Sequence, residues 1–307
     1  MRKIIPLILF AVVAAMSPSA RAAASFIVVD DETGHVLSSQ NPNEKRQIAS
    51  LTKVATAMVV FDWSKATRTS LAAEVEVPAG ISGVGGTNPC GLQPGDRVSL
   101  RDLVYAALMQ SDNHAAYTLA YNVGARLPNN SGLDPVGNFT AHMNALARTL
   151  RMKRTLFLNP HGMDNTDRPP YSTAADLARL TKYACDNAAF NFAVSQKTRE
   201  IGITGTDGNR RGFVLQNTNT LLGQEGIEGV KTGRTARAGD CVILYSIRDP
   251  QIVNVGGQQA AVPRHLIVVV LGSHDRFGDG LAIVRRGWSL HGRWTSEGRP
   301  ISKRTAI

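Results

Sequence analysis

Apolar positions along the chain predict its elements in order. Two short apolar runs, Phe26 to Val29 and His35 to Leu37, flank Asp31-Glu32-Thr33-Gly34, the pattern of a β-hairpin. After a polar loop, Leu51, Val54, Ala55, Met58 and Val59 recur at i, i+3, i+4, i+7 and i+8, which predicts a buried helix beginning at Ser50. Residues 65–98 are rich in Gly, Pro and Thr and read as loops with short strands. The helical stripe returns at Leu100, Leu103, Val104, Ala107 and Leu108, with Ser99 as N-cap and Asp102 as its capping-box partner. Further helices are expected at about 114–125, 135–150 and 173–184, the last opened by Thr173 with Asp176. From Thr198 onward the runs are strand-like: Thr198 to Ile203, Arg211 to Gln216, Ile227 to Lys231, Cys241 to Ile247 and Leu266 to Leu271. Leu281, Val284 and Trp288 space a final helix. Strands at both ends with helices between imply one sheet built by both ends of the chain, with a helical lobe inserted.

The N-terminus falls outside this scheme. Arg2 and Lys3 precede a mostly apolar run from Ile4 to Met16, and Ala20-Arg21-Ala22 offers an A-x-A cleavage site, so residues 1–22 read as a signal peptide cleaved near Ala22. The run is interrupted by Pro6 and is shorter than the ~20 residues of a membrane span. The expected mature protein is exported, periplasmic or secreted, and carries no stable membrane anchor.

With 307 residues, 43% hydrophobic and 19% charged, the chain can bury a full core and is neither disordered nor fibrous. Low aromatic content, 6%, and the lack of a fixed-period repeat argue against solenoids, propellers and base-stacking nucleic-acid modules. Three of the cations behind the formal charge of +10, Arg2, Lys3 and Arg21, leave with the signal. Arg285, Arg286, Arg293, Arg299, Lys303 and Arg304 against Glu297 then place most of the remaining excess after residue 284. A basic tail over residues 296–307 suits polyanionic envelope surfaces better than nucleic acid, and a plain solvated terminus explains it as well. Cys90, Cys185 and Cys241 are odd in number and lie in no C-x-x-C pattern, so they read as small buried apolar residues without metal.

Ser50-Leu51-Thr52-Lys53 sets a hydroxyl and an amine three residues apart, about one helical turn, so both project from one face within hydrogen-bonding range. A serine in a first turn meets the positive end of the helix dipole, and a desolvated lysine beside other cations loses its proton near neutral pH. S-x-x-K alone arises about once by chance in such a chain. Two further pieces make the pattern specific. Ser111-Asp112-Asn113 falls on a predicted loop between two helices, and Lys231-Thr232-Gly233 ends a predicted strand, where a glycine lets a substrate approach the backbone. K-T-G is expected only ~0.1 times by chance. Ser39-Gln40-Asn41 also fits S-x-N, but precedes the nucleophile and has no helical context.

This ordered trio occurs in penicillin-binding proteins and class A β-lactamases, and the chain resembles the serine-type D-alanyl-D-alanine carboxypeptidases, the low-molecular-mass penicillin-binding proteins. The likeness runs from about Phe26 to Trp288. It includes Ile48-Ala49-Ser50-Leu51-Thr52-Lys53, Asn159-Pro160-His161-Gly162-Met163, Ser172-Thr173-Ala174-Ala175-Asp176-Leu177-Ala178, Asn217-Thr218-Asn219, Gly229-Val230-Lys231-Thr232-Gly233 and Ala238-Gly239-Asp240-Cys241. The chain departs from the family at Asp112 and His114, where relatives usually carry glycine and aspartate; Asp112 matches the β-lactamase form.

The resemblance implies an α/β fold of the β-lactamase and penicillin-binding-protein kind, a mainly antiparallel sheet flanked by helices with an inserted all-helical lobe. The sheet lobe would use residues 24–64 and 198–292 and the helical lobe 65–197, within a catalytic domain spanning 23–295. It further implies that Ser50 attacks the carbonyl between two D-alanines, Lys53 accepts its proton, and the backbone N–H groups of Ser50 and Arg234 hold the oxyanion. Ser111 would relay a proton to the leaving amine, Asn113 would bind the peptide amide, and Lys231 with Thr232 and Gly233 would receive the terminal carboxylate. The implied partners are peptidoglycan stem peptides and β-lactam inhibitors, with neither metal nor organic cofactor. Carboxypeptidase and endopeptidase action use the same groups, and the oligomeric state is open.

A class A-like β-lactamase and a non-catalytic peptidoglycan-binding protein are the alternatives. Class A enzymes deacylate through a water activated by a glutamate between the second and third motifs. Here no glutamate occurs between Glu76 and Glu200, and Glu200 lies in a predicted strand without an E-x-x-x-N pattern. Asp164 and Asp167 read as part of a polar turn before Pro169-Pro170, and Asp176 as the partner of the Thr173 cap. His161 reads as a structural turn histidine and His114 as a hydrogen-bonded residue without a chemical role. Arg234 and Arg237 fit the rim of a site or a solvated loop equally, and Asn217 and Asn219 are expected to satisfy backbone groups behind it.

Overall fold

The computed structural model describes residues 23–164, 167–255, 258–299 and 306–307. Strands β1 (Ser25–Asp30) and β2 (Val36–Gln40) form the expected antiparallel hairpin. Asp30 Oδ1 accepts the Thr33 N–H at 3.0 Å and the Thr33 hydroxyl at 2.6 Å, and Gly34 takes φ 74°, which together shape the turn.

Three further strands, β7 (Ile227–Thr235), β8 (Gly239–Val255) and β9 (Gln258–Ser273), complete a five-stranded sheet in the order β2-β1-β9-β8-β7. β1 pairs antiparallel with β9, so both ends of the chain share one sheet, as the pattern implied. One face, with Val28, Val242, Leu244, Val268 and Val270, packs under α7 (Arg276–Ser296) through Val284 and Trp288. The opposite face, with Ile27, Val29, Ile243, Ile267 and Val269, packs on the helices of the inserted lobe. Cover on both faces explains why Leu266 to Leu271 read as an unbroken apolar run.

Helix α1 (Lys53–Thr67) starts three residues later than its apolar spacing predicts. Ser50 sits before it, in a 3-10 turn spanning Ala49–Thr52. The expected one-sided stripe is a helix buried all round from Lys53 to Phe61, because α2 (Leu100–Met109), α3 (Asn113–Gly124), α4 (Pro135–Thr149) and α5 (Ala174–Cys185) surround it. A short helix, α6 (Ala188–Ser195), has no counterpart in the apolar pattern; Asn187 caps it, and its few buried residues make too short a pattern to read.

The fold class stands, but the insertion also carries strands. β3 (Glu74–Glu76) and β4 (Arg97–Ser99) pair with β5 (Thr198–Thr204) and β6 (Arg210–Gln216) in a second sheet, ordered β3-β4-β5-β6. Residues 198–216 therefore leave the main sheet to which strand propensity alone assigned them. Their composition held a clue: only Ile201 and Ile203 in β5 and Leu215 in β6 are buried, unlike the doubly covered strands of the main sheet.

Both capping boxes form by half. Ser99 and Thr173 accept the N–H groups of Asp102 and Asp176 at 3.0 Å. The Asp102 carboxylate accepts the Gly202 N–H at 3.4 Å, tying α2 to β5. That of Asp176 accepts the Arg154 N–H and the Thr155 hydroxyl, at 2.8 and 2.9 Å. Cys90, Cys185 and Cys241 are free and buried. The signal segment 1–22 and residues 300–305 of the basic tail lie outside the described residues, while Ile307 donates its N–H to Gly34 O at 3.0 Å. Among the described residues no helix is long and apolar enough to cross a membrane.

Candidate active site

The turn carrying Ser50 is held tightly from two sides. Ala49 takes φ 48°, a left-handed value uncommon for a residue with a Cβ. Gly162, at φ 88°, lies so close that a Cβ there would meet Ala49 O at 1.9 Å. From the other side comes Gly233, where a Cβ would stand 3.0 Å from both Ile48 O and Ser50 N. The glycine of K-T-G therefore also serves the approach of β7 to the nucleophile turn, while it lines the cleft. Lys231-Thr232-Gly233 also lies inside β7, which runs on to Thr235, and does not end the strand.

Lys53 opens α1 and is fully buried. Its Nζ contacts three acceptors: Ser50 Oγ at 2.9 Å, Asn113 Oδ1 at 2.7 Å and His161 O at 2.9 Å. Burial pulls its pKa down to about 7, against the opposing pull of Asp112. Asn113 Oδ1 and His161 O can only accept, whereas a serine hydroxyl can also donate. When Lys53 is neutral, its two N–H bonds serve those two oxygens and its lone pair is left for the Ser50 proton. The geometry thus sets up a hydroxyl beside a base.

Ser111-Asp112-Asn113 joins α2 to α3, as the pattern predicted. Ser111 takes φ 62°, Asp112 caps α3 by accepting the Ala115 N–H at 2.9 Å, and Asn113 is the first helical residue. Asn113 is committed on both sides, since its Nδ2 donates to Gly85 O at 2.9 Å. Its amide oxygen therefore faces Lys53, a use beyond the peptide contact that the resemblance implied.

On the β7 side Lys231 is 1% exposed, and its Nζ donates to Thr232 O at 3.1 Å. Burial, with Lys53 and Arg276 nearby, pushes its pKa well down. Thr232 Oγ1 pairs with Thr218 Oγ1 at 2.7 Å, and Thr218 also donates its N–H to Met109 O, tying the end of α2 to β7. The Arg234 side chain is mostly exposed, with Nε 3.5 Å from Asp240.

A cleft of about 580 Å³ takes in Ser50, Ser111, Asn113, Thr232, Gly233 and Arg234, while Lys53 and Lys231 lie buried behind its wall. A larger hollow of about 720 Å³, beside α5, holds none of these residues. Three further cleft residues carry no signal of their role in the sequence. Arg276 donates to Gly233 O at 3.3 Å and to Asp240 at 3.1 Å. Thr218 stands out only as the middle of Asn217-Thr218-Asn219. Asp164, whose setting reads as a polar turn, accepts the Thr235 hydroxyl at 2.5 Å, and its carbonyl accepts from Arg237 at 3.1 Å. Each reaches the cleft through packing between distant segments, which no local pattern encodes.

His161 contributes its main-chain carbonyl. Its ring Nδ1 accepts the Met163 N–H at 3.3 Å, and burial, with Lys53 and His114 nearby, pulls its pKa down to about 3. His114 Nε2 lies 3.2 Å from Val84 O. Behind the cleft, Asn217 donates to Val194 O and Gln196 O, and Asn219 to Gly229 O.

The family described as D-alanyl-D-alanine carboxypeptidase matches residues 12–255. A D-alanyl-D-alanine endopeptidase of Pseudomonas aeruginosa is 29% identical over 279 residues, 90% of this chain and 79% of that protein. The D-alanyl-D-alanine carboxypeptidase DacC of Escherichia coli is 32% identical over 240 residues, which cover 76% of this chain and 56% of DacC. The chain therefore spans little more than half the length of that carboxypeptidase. Among solved structures, the Streptomyces K15 DD-transpeptidase superposes with TM-score 0.76 at 28% identity, covering 90% of this chain and 100% of the other. Penicillin-binding protein D2 of Listeria monocytogenes, in its ampicillin-bound form, gives TM-score 0.67 at 27% identity, covering 87% of this chain and 99% of the other.

Proposed function

The chain belongs to the D-alanyl-D-alanine carboxypeptidase family, and from that premise we propose that it is a serine peptidase that cleaves the D-Ala-D-Ala end of peptidoglycan stem peptides through an ester on Ser50. The observation that carries the proposal is the 2.9 Å contact between Ser50 Oγ and the Nζ of buried Lys53. Ser50 Oγ attacks the carbonyl carbon between the two D-alanines while its proton passes to the neutral Lys53 amine. The N–H groups of Ser50 and Arg234 meet the oxyanion, on the two segments that Gly233 lets approach. Ser111 passes a proton to the departing amine, the C–N bond breaks, and water later hydrolyses the ester. Lys231, Thr232 and Arg276 gather around the terminal carboxylate of the leaving residue, which suits two cations with few anionic partners. Asn113 holds Lys53 in line and lines the wall beside the peptide.

The β-lactamase alternative requires a carboxylate placed to activate water. Among the described residues Asp164 is the acid that lines the cleft, and its Oδ2 is engaged by Thr235; Asp176 is engaged by Arg154, Thr155 and Arg179. A penicillin ester on Ser50 should therefore persist for many minutes, making β-lactams inhibitors. Export rests on the signal pattern of residues 1–22.

Labelling with a fluorescent penicillin tests the reading. The wild type should take up one stable label and release D-alanine from a pentapeptide, and Ser50→Ala should do neither while melting normally. Wild-type labelling in Ser50→Ala would remove Ser50 from the mechanism, and rapid multiple turnover of penicillin would put the β-lactamase first.

A further inference from the structure

Asp112 and His114 flank Asn113 and reach the same glycine-rich segment, residues 84–90. That strap supplies Gly86 and Thr87 to the cleft. Its attachments to residues 111–114 are dense. Asp112 is fully buried; its Oδ1 accepts the Ala115 N–H at 2.9 Å, and its Oδ2 accepts the Cys90 N–H at 3.1 Å. Asn113 donates its N–H to Thr87 O at 2.9 Å and its Nδ2 to Gly85 O at 2.9 Å. Thr87 Oγ1 donates to Ser111 O at 3.2 Å, and His114 Nε2 meets Val84 O at 3.2 Å. Contact is so close at Gly86 that a Cβ there would stand 2.0 Å from Asn113 Nδ2.

We propose that Asp112 and His114 are positioning residues that clasp the strap 84–90 against Asn113, fixing through it the acceptor that orients Lys53. A glycine at position 112 could neither cap α3 through a side chain nor hold Cys90. A carboxylate at 114 would face the Val84 carbonyl with no donor to offer when ionised. Loss of the Asp112 charge also acts on Lys53. The groups acting on Lys53 are Asp112 from the start of α3, Lys231 from β7 and His161 from its loop, and Asp112 alone of the three is an acid. Removing its charge destabilises the Lys53 ammonium, so the amine becomes free at lower pH.

The inference rests on the serine-peptidase reading for its catalytic arm only. Hydrogen exchange of the strap amides needs no catalysis and tests the clasp directly. In Asp112→Asn a single amide oxygen replaces the two carboxylate oxygens that accept the Ala115 and Cys90 N–H groups, so the Cys90 amide of the strap should exchange at least roughly tenfold faster than in the wild type. The acid limb of penicillin acylation should move down by roughly one pH unit. His114→Ala should also speed exchange near Val84 and slow acylation while leaving the acid limb in place, since it removes no negative charge. It also serves as the second test should Asp112→Asn fold poorly. Unchanged strap exchange in either folded variant would overturn the clasp, and an unmoved acid limb in Asp112→Asn would overturn its link to Lys53. A wild type that penicillin never acylates would instead refute the peptidase reading and leave the exchange result standing.

Discussion

Two buried lysines lie behind the cleft, one on α1 and one on β7, and their surroundings differ. Lys53 meets three acceptors and feels the Asp112 carboxylate. Among the described residues Lys231 has one acceptor, the carbonyl of its own neighbour Thr232, and feels two basic groups, Lys53 and Arg276. Burial lowers the pKa of both, but the consequences diverge. The first site is complete without substrate and aligns one lone pair on one hydroxyl, an arrangement for moving a proton. The second, among the described residues, is short of negative charge, an arrangement that an anionic ligand would complete. Fold and chemistry meet here, because α1 carries the first lysine, β7 the second, and Gly233 lets β7 meet the 3-10 turn that leads into α1.

If the two lysines differ in this way, arginine should separate them. At position 53 it cannot give up its proton, so Lys53→Arg should lower penicillin acylation by on the order of 10³-fold. Retention of most of the rate would show that Lys53 is not the base.

The contact between β7 and that turn is tested by adding one methyl group. Gly233→Ala places a Cβ against Ile48 O and Ser50 N, both backbone atoms, so the Ser50 turn or β7 must shift. Acylation should fall roughly 10²-fold with only a small change in melting temperature, since a displacement of this size spoils alignment more than packing. Wild-type acylation would mean that the two segments can part at no catalytic cost.

Smallest of the three is the effect at the other lysine. Lys231→Arg keeps the positive charge, so D-alanine release should weaken only about tenfold, mainly in KM, while Lys231→Met should lose far more. Equal losses in the two variants would mean that charge is not what position 231 contributes.

What the sequence made legible follows the same division. Ser50 with Lys53, Ser111 with Asn113, and Lys231 to Gly233 are contiguous motifs, so the order of residues alone marks them as candidates. Arg276, Asp164 and Thr218 are not legible in that way, because each enters the cleft from a segment brought in by tertiary packing. The His161 carbonyl is hidden for another reason: every residue has a main-chain oxygen, and only the turn around Gly162 aims this one at Lys53. Similarly, the doubly covered strands of the main sheet announce themselves as apolar runs. The choice of β3 and β4 as partners for β5 and β6 is non-local, and strand propensity does not encode it.

The most direct test of the difference between the lysines is the pH dependence of the second-order rate of penicillin acylation, followed from about pH 5 to about pH 9 on the wild-type protein. Ionised Lys53 cannot take the Ser50 proton, and its pKa is drawn down to about 7. The rate should therefore rise nearly tenfold per pH unit on the acid side, bend near neutrality and level off above it. A rate that stayed flat across that range, or kept climbing toward the ordinary lysine pKa, would contradict the account.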